Sequence, residues 1–213
     1  MKWSLSALST FEKCAARYKF KYIERLPEPT RPAAASRGVD MHKYIEDYIN
    51  GTVDGLPASL IMYQPYFDNL RQVKAMCEVK IALNEKWEVI DWESPDVWYR
   101  GILDLLHLQP PVALVKDWKT GKEYDDHYDQ KEIYAIATFA AYPEIDTVKA
   151  IHVYLDLGRN TERVYARDQA AARRSFWEGR VARMSSERAY IPSPSYSCRY
   201  CAFSKEKGGP CKF

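Results

Sequence analysis

The chain has 213 residues, which is long enough for one domain, residues 1–213, that buries a sizeable core without disulfide staples. Its 31 basic and 29 acidic residues leave a net charge of +2, so the overall field selects neither nucleic acid nor an anionic membrane, and any basic surface must be local. The longest uncharged apolar run, Ala135 to Tyr142, is too short to cross a bilayer and the first residues lack a signal-peptide core, so we expect a cytoplasmic protein with no membrane partner.

The first predicted helix begins with a serine N-cap, Ser4 or Ser6, with Ser9-x-x-Glu12 as an alternative capping box, and ends before the proline-rich stretch 27–32. Its apolar residues fall on one face, which is typical of a helix packed against the body of a domain. Cys14 lies near the edge of that face, where a single cysteine is usually an ordinary core residue.

The second predicted helix runs from about Gly38 to Asn50. His42 lies one turn after Gly38, and residues four apart share a helix face, so the absent side chain leaves room for a close approach to His42. A histidine in such a helix is by default a hydrogen-bonded structural residue, so this pattern alone assigns it no function.

A third helix, from Ala58 to Val73 with an interruption near Pro65, precedes a change to strand patterns. Residues 76–83 and 86–91 are predicted to form a hairpin closed by a two-residue turn. Glu78 lies in the first of these strands and could reach a site at the sheet edge, although an exposed strand carboxylate is the commoner case.

Two interior strands, residues 98–108 and 112–119, follow and are joined through two prolines. A tight connection makes them antiparallel neighbours, in which Asp104 and Asp117 can converge. Lys119 shares a face with Asp117, because side chains two apart on a strand point the same way. Buried carboxylates repel unless a partner compensates them, so this pattern favours a divalent-cation site over a structural ion pair.

The remaining elements complete an α/β protein with a central mixed sheet flanked by helices. After a polar loop, residues 123–126, a helix over residues 128–140 places Gln130 and Tyr134 one turn apart on the same side. Strands over residues 148–157 and 163–166 precede a last helix, from Asp168 to about Arg188. Four arginines of this last region are expected to form a solvated surface: Arg173, Arg174, Arg180 and Arg183.

The tail holds three of the five cysteines, Cys198, Cys201 and Cys211, in a stretch without helical or strand periodicity. A Cys-x-x-Cys pair with a third cysteine nearby is typical of a metal half-site, and an odd cysteine count does not indicate a disulfide framework. Cys14 is the natural fourth ligand, because it would tie the tail to the first helix.

These motifs, in this order, resemble the PD-(D/E)XK nucleases of RecB type, specifically the iron-sulfur branch of the CRISPR-associated RecB-like exonucleases and the AddB nuclease domain. The resemblance covers essentially the whole chain. It is carried by the following motifs: Ser4-x-Ser6 through Cys14, Gly38-x-x-x-His42, Gly101-x-x-Asp104, Asp117-x-Lys119-Thr-Gly121-Lys122, Gln130-x-x-x-Tyr134, and Cys198-x-x-Cys201 with Cys211.

The resemblance implies a restriction-endonuclease-like core and a metal-dependent DNA exonuclease. Asp104 and Asp117 would bind Mg²⁺ or Mn²⁺, with His42 and the carbonyl of Trp118 as further ligands. Lys119 would orient the attacking water and neutralise charge. Three other residues match family positions: Gln130 and Tyr134 would hold the DNA strand near the site, and Glu78 is an acid one strand earlier.

The resemblance also implies a structural 4Fe-4S cluster bound by Cys14, Cys198, Cys201 and Cys211, with Zn²⁺ as the alternative. The cysteine-rich tail, residues 190–213, would then close as a clasp onto residues 4–25. Cys201 and Cys211 are further apart in sequence than is usual in the family.

Two classes of function remain open. The first is an exonuclease acting on single-stranded or end-frayed DNA in recombination, repair, or phage or CRISPR DNA processing, in the host cytoplasm if the chain is phage-encoded. The second is a non-catalytic nucleic-acid-binding scaffold that retains the fold. The intact set of Asp104, Asp117 and Lys119 favours the exonuclease. A third class, an electron-transfer iron-sulfur protein, fits poorly, because electron transfer gives no reason for these acids and this lysine.

Overall fold

The computed structural model describes residues 1–28, 33–123 and 127–213, without the side chains of residues 33–36 and 127. Two of the predicted proline stops, at 29 and 32, and residues 124–126 of the predicted polar loop lie outside this part of the chain. The chain divides into two compact units, one formed by Trp3–Pro32 with Ser175–Phe213 and the other by Ala33–Arg174. Within the described ranges, no helix is long and apolar enough to span a membrane.

The helices and strands are numbered in chain order. The helices are α1 Leu5–Lys13, α2 Ala15–Tyr18, α3 Ala33–Ile49, α4 Gln64–Gln72, α5 His127–Ala141, α6 Arg167–Ala172 and α7 Arg174–Ser186. The strands are β1 Met76–Leu83, β2 Tyr99–Gln109, β3 Val112–Lys119, β4 Thr147–Tyr154 and β5 Arg159–Ala166.

The second unit is built on one five-stranded sheet with the order β1-β2-β3-β4-β5. β3 and β4 are parallel, joined by the crossover helix α5, and the other neighbouring pairs are antiparallel. A central mixed sheet flanked by helices is the α/β architecture predicted from the sequence, and it agrees with a restriction-endonuclease-like fold.

Alternation along β3 separates the two faces of the sheet. Trp118 is 2% exposed and joins the apolar core formed with α3 and α4, in which Phe67 and Ile45 are fully buried. Asp117 and Lys119 point to the opposite face, where α5 lies. The strand therefore presents a hydrophobic anchor on one face and its charged pair on the other.

The local predictions around β1 and α4 need correction. Residues 86–91 do not form a second strand, because β1 pairs instead with β2, and only Val89 bridges back to Leu83. Trp87 has a φ of 63° and packs edge-on against Trp98, with ring centroids 5.1 Å apart. Pro65 lies in the first turn of α4 rather than interrupting a helix, a position where its missing N–H is no loss.

In the first unit, the predicted first helix starts as expected, with the Ser4 side chain accepting from the Ala7 N–H, but it breaks at Cys14. Cys14 has extended backbone angles and separates α1 from α2. The arginines of α7 are not all solvated as predicted. The Arg180 side chain is 8% exposed, binds Glu12 through both carboxylate oxygens and lies over the Trp177 ring.

Candidate active site

The two strand carboxylates meet where the β2–β3 ladder opens. Paired residues run from Gln109 opposite Val112 to Leu105 opposite Lys116, and the next position would place Asp104 opposite Asp117. The ladder ends there instead, and the Trp118 N–H donates to Asp104 Oδ2 at 2.9 Å. The Asp104 side chain thus replaces a backbone acceptor at the point of opening.

His42 of α3 reaches the same opening. Its Nδ1 lies 3.2 Å from Asp104 Oδ2, and its Nε2 lies 2.6 Å from the carbonyl oxygen of Trp118. Burial disfavours the charged ring, but the hydrogen bond to Asp104 and the charges of Asp104 and Asp117 outweigh it and raise the pKa of His42 to about 9. His42, Asp104 and the carbonyl oxygen of Trp118 therefore lie around one point, and Asp117 acts on His42 through its charge.

Glu78 adds a third carboxylate. The β1–β2 register places it opposite Asp104, and its φ of 51° is uncommon for a residue other than glycine. Ligand atoms of His42, Glu78 and Asp104 lie within 4.8 Å of one another, which is close enough to share a cation. These three residues line a cleft of about 510 Å³ together with Gly38, Val39, Lys43, Glu46 and Ile102.

On the α5 side, Gln130 connects the charged pair of β3. Lys119 Nζ contacts Asp117 Oδ2 at 2.6 Å and donates to Gln130 Oε1 at 2.6 Å. Gln130 Nε2 donates to Asp117 Oδ1 at 2.6 Å and to the Tyr134 hydroxyl at 3.0 Å. Gln130 is thus hydrogen-bonded directly to Asp117, and Tyr134 is connected to Asp117 through Gln130.

Asp117 is the most enclosed of the acids, at 3% exposed. Burial and the charge of Asp104 raise its pKa, and Lys119 acts in the opposite direction. A buried carboxylate under this like-charge repulsion is stabilised by any cation brought between the two acids. The donor set, with oxygen and imidazole ligands, suits Mg²⁺ or Mn²⁺.

Two motif glycines have direct steric reasons. A Cβ at Gly101 would lie 2.2 Å from the Tyr99 hydroxyl oxygen, so any larger residue before Asp104 would force that ring to shift. A Cβ at Gly38 would lie 3.2 Å from Thr120 Oγ1. The close neighbour at Gly38 is therefore the turn that follows Lys119, and this is how α3 comes near the site.

Sequence reasoning missed the residues that hold this turn. Asp156 accepts from the Gly121 N–H at 2.8 Å and binds Arg37 of α3 through both oxygens, at 2.9 and 2.5 Å. This contact depends on the pairing of β4 beside β3. β3 and β4 are parallel, so their carboxyl ends meet at one edge of the sheet, and Asp156 comes just after β4.

The tail shows how the long cysteine spacing is accommodated. The Cys211 N–H donates to the Phe203 carbonyl at 3.0 Å, so the intervening residues form a closed loop beyond Cys201. Gly209 is required in this loop, because a Cβ there would lie 2.3 Å from the Phe203 carbonyl carbon. The Cys198 sulfur accepts from the Ser195 N–H at 3.4 Å.

The cysteine sulfurs are not as close as a mononuclear site requires. Tetrahedral Zn²⁺ with four thiolates places sulfurs about 3.8 Å apart. In the described part of the chain, the one group of three or more ligand side chains within 4.8 Å is that of His42, and it contains no cysteine. The cluster predicted at Cys14, Cys198, Cys201 and Cys211 stays a prediction.

Comparisons with known proteins agree with this fold. The model of the PD-(D/E)XK nuclease superfamily matches residues 2–205. The chain is similar to the crystal structure of a protein named a putative exonuclease, from Eubacterium rectale, with 14% identity and a TM-score of 0.55 over 94% of this chain and 86% of that one. It is also similar to the crystal structure of SSO0001, with 15% identity and a TM-score of 0.46 over 99% and 86%. No curated protein matches the chain.

Proposed function

The chain belongs to the PD-(D/E)XK nuclease superfamily, and we propose that it is a divalent-metal-dependent exonuclease that hydrolyses DNA phosphodiester bonds. The convergence of Asp104, Asp117, Lys119 and His42 at the opening of the β2–β3 ladder carries this proposal. A purely structural role would give no reason for buried Asp117 and partly buried Asp104 to lie at the same opening of the ladder.

Mg²⁺ or Mn²⁺ would be held by Asp104, Asp117, His42 and the carbonyl of Trp118, with Glu78 within reach of the same point. When bound, such a cation polarises a phosphoryl oxygen and lowers the pKa of a bound water. His42, Glu78 and Asp104 would supply oxygen and imidazole donors from the cleft that they line.

Lys119 contributes a positive charge beside the acids. The charge that develops on a phosphoryl group during hydrolysis is stabilised by a positioned cation, and the ammonium of Lys119 is held by Asp117 and Gln130. Gln130 also donates a hydrogen bond to the hydroxyl of buried Tyr134, so these two residues of α5 would support Lys119 and Asp117.

We propose in addition that Cys14, Cys198, Cys201 and Cys211 bind a structural 4Fe-4S cluster, which would close the tail as a clasp onto residues 4–25. The loop that returns Cys211 toward Cys201 and the N–H bond to the Cys198 sulfur support it. A brown protein with iron and acid-labile sulfide is the expected result. A colourless protein with stoichiometric zinc would assign the site to the alternative metal.

The nuclease proposal is tested with purified protein, end-labelled linear DNA and Mn²⁺. The parent should release nucleotides from ends and leave a closed circle intact, and Asp117→Ala should release none while still binding DNA. Asp54→Ala is the matched control, because that side chain is 98% exposed, and it should retain parental activity. Nucleotide release that survives Asp117→Ala contradicts the proposal. DNA binding without release by the parent would support the scaffold alternative.

A further inference from the structure

The last 25 residues of this protein carry a net positive charge. Residues 189–213 hold four basic residues, Arg199, Lys205, Lys207 and Lys212, and one acid, Glu206. Their net charge of +3 exceeds the net charge of +2 of the whole chain, so the other residues are slightly acidic in sum. All four basic side chains of this segment are exposed. This segment is therefore one of the locally basic parts of the chain.

Aromatic rings are exposed in the same segment. The short helix Tyr196–Tyr200 begins at Ser195, whose hydroxyl accepts from the Ser197 N–H. Tyr196 and Tyr200 are 73% and 68% exposed, and their ring centroids lie 6.0 Å apart at an interplanar angle of 63°. Tyrosine rings usually bury most of their apolar surface, so two adjacent rings at this exposure indicate an interaction surface.

Arg199 fixes the arrangement of this pair. Its guanidinium carbon lies 4.6 Å from the Tyr196 ring centroid and 5.8 Å from that of Tyr200, and its Nη1 donates to the Tyr196 hydroxyl. Phe213 is a third exposed ring with a cation beside it, because Lys212 Nζ lies 5.2 Å from its ring centroid. Each exposed ring of this tail thus already has a cation against it.

We propose that Tyr196, Arg199 and Tyr200 form a stacking platform for the unpaired bases of single-stranded DNA, with Lys205 and Lys207 neutralising its phosphates. Exposed rings interleaved with cations are the arrangement that binds single strands without regard to sequence. A base inside a duplex has both faces covered by its neighbours, so the rings select an unpaired strand. This proposal depends on the proposed nuclease function, and it specifies single-stranded DNA as the substrate of that nuclease.

The experiment uses the full chain carrying Asp117→Ala, which binds without cutting, and a fluorescent thymidine oligomer of about 15 nucleotides, followed by anisotropy. Replacing both rings, Tyr196→Ala with Tyr200→Ala, should weaken binding by about tenfold or more per ring. Tyr196→Phe with Tyr200→Phe should leave the affinity within about twofold, because stacking needs the ring and not the hydroxyl. Lys205→Gln should reduce the slope of log affinity against log salt by roughly 0.7, because one phosphate contact is lost.

Ile191→Ala is the matched control for loss of exposed apolar surface, since that side chain is 70% exposed in the same tail, and it should change nothing. Iron, zinc and the unfolding midpoint are compared in every variant, so that damage to the cysteine site is not mistaken for lost stacking. Parental affinity in the alanine pair, equal losses in the alanine and phenylalanine pairs, or equal ring dependence with blunt duplex would each overturn the platform. Failure of the nuclease is separate: the chain with Asp117 intact would then bind through the rings and release no nucleotide.

Discussion

Substitution of Gln130 can separate two possible roles of this residue. It could hold the DNA strand, or it could hold the side chains of Asp117 and Lys119 in position. Its amide lies between a group that only accepts, the Asp117 carboxylate, and one that only donates, the Lys119 ammonium. The amide orientation follows from this, with its oxygen toward Lys119 and its nitrogen toward Asp117. Both contacts are 2.6 Å long. Gln130 therefore positions both groups at once.

Gln130→Met keeps the length of the side chain and removes its hydrogen bonds to Asp117, Lys119 and Tyr134. A hydrogen bond to a charged group is worth about 1.5–3 kcal/mol, so one such bond made in the transition state corresponds to a rate loss of about 10- to 150-fold. We expect kcat on end-labelled DNA with Mn²⁺ to fall by this amount, while DNA affinity stays within about twofold. Gln130→Glu places a second carboxylate against buried Asp117 and should be at least as slow.

The control is Gln72→Met, at an exposed glutamine of α4, which should retain parental kcat. A kcat for Gln130→Met within about threefold of the parent would refute the positioning role. A loss confined to KM would instead assign Gln130 to the DNA strand alone, which is the role that the family resemblance implies.

Three further predictions concern stability and the turn after β3. Glu12→Ala should lower the free energy of unfolding in urea by about 2–4 kcal/mol, because the nearly buried Arg180 loses a bidentate carboxylate, and a change below about 0.5 kcal/mol would contradict it. Gly101→Ala should lower it by about 1–3 kcal/mol through the clash with Tyr99, and Tyr99→Phe in the same chain should restore part of the loss; an unchanged unfolding midpoint would contradict the clash. Asp156→Asn should reduce nuclease activity about two- to fivefold with unchanged DNA binding, and unaltered activity would show that the turn does not depend on that charge.

The interior strands were predictable because burial on both faces leaves a continuous apolar run in the sequence. The predicted run 112–119 coincides with β3, and 98–108 differs from β2 by one residue at each end. The false strand at 86–91 has a different origin. Its residues alternate as a strand does, but β1 finds its partner in β2, and a local pattern carries no information about a competing distant strand.

The acids of the site were predictable for the same reason, since a charge within an apolar strand is conspicuous. What escaped prediction depends on contacts between elements far apart in the chain. Gln130 can bridge Asp117 and Lys119 only because α5 lies over β3. Asp156 can accept from the Gly121 N–H only because β4 lies beside β3. The left-handed backbone of Glu78 has no sequence signal either, because glutamate gives no hint of a positive φ.

Trp118 explains how a site at an opening of the sheet can still be rigid. Its indole is buried against Phe67, with ring centroids 5.6 Å apart, so the position of its backbone is determined by the core. That backbone donates to Asp104 and accepts from His42. Asp104 and His42, two candidate cation ligands, are therefore both positioned by the backbone of Trp118, which the hydrophobic core holds in place. Trp118, between Asp117 and Lys119, thus contributes to the rigidity of the site through the burial of its indole. The ladder hydrogen bonds lost at Asp104 are replaced by hydrogen bonds between the Trp118 backbone and the side chains of Asp104 and His42.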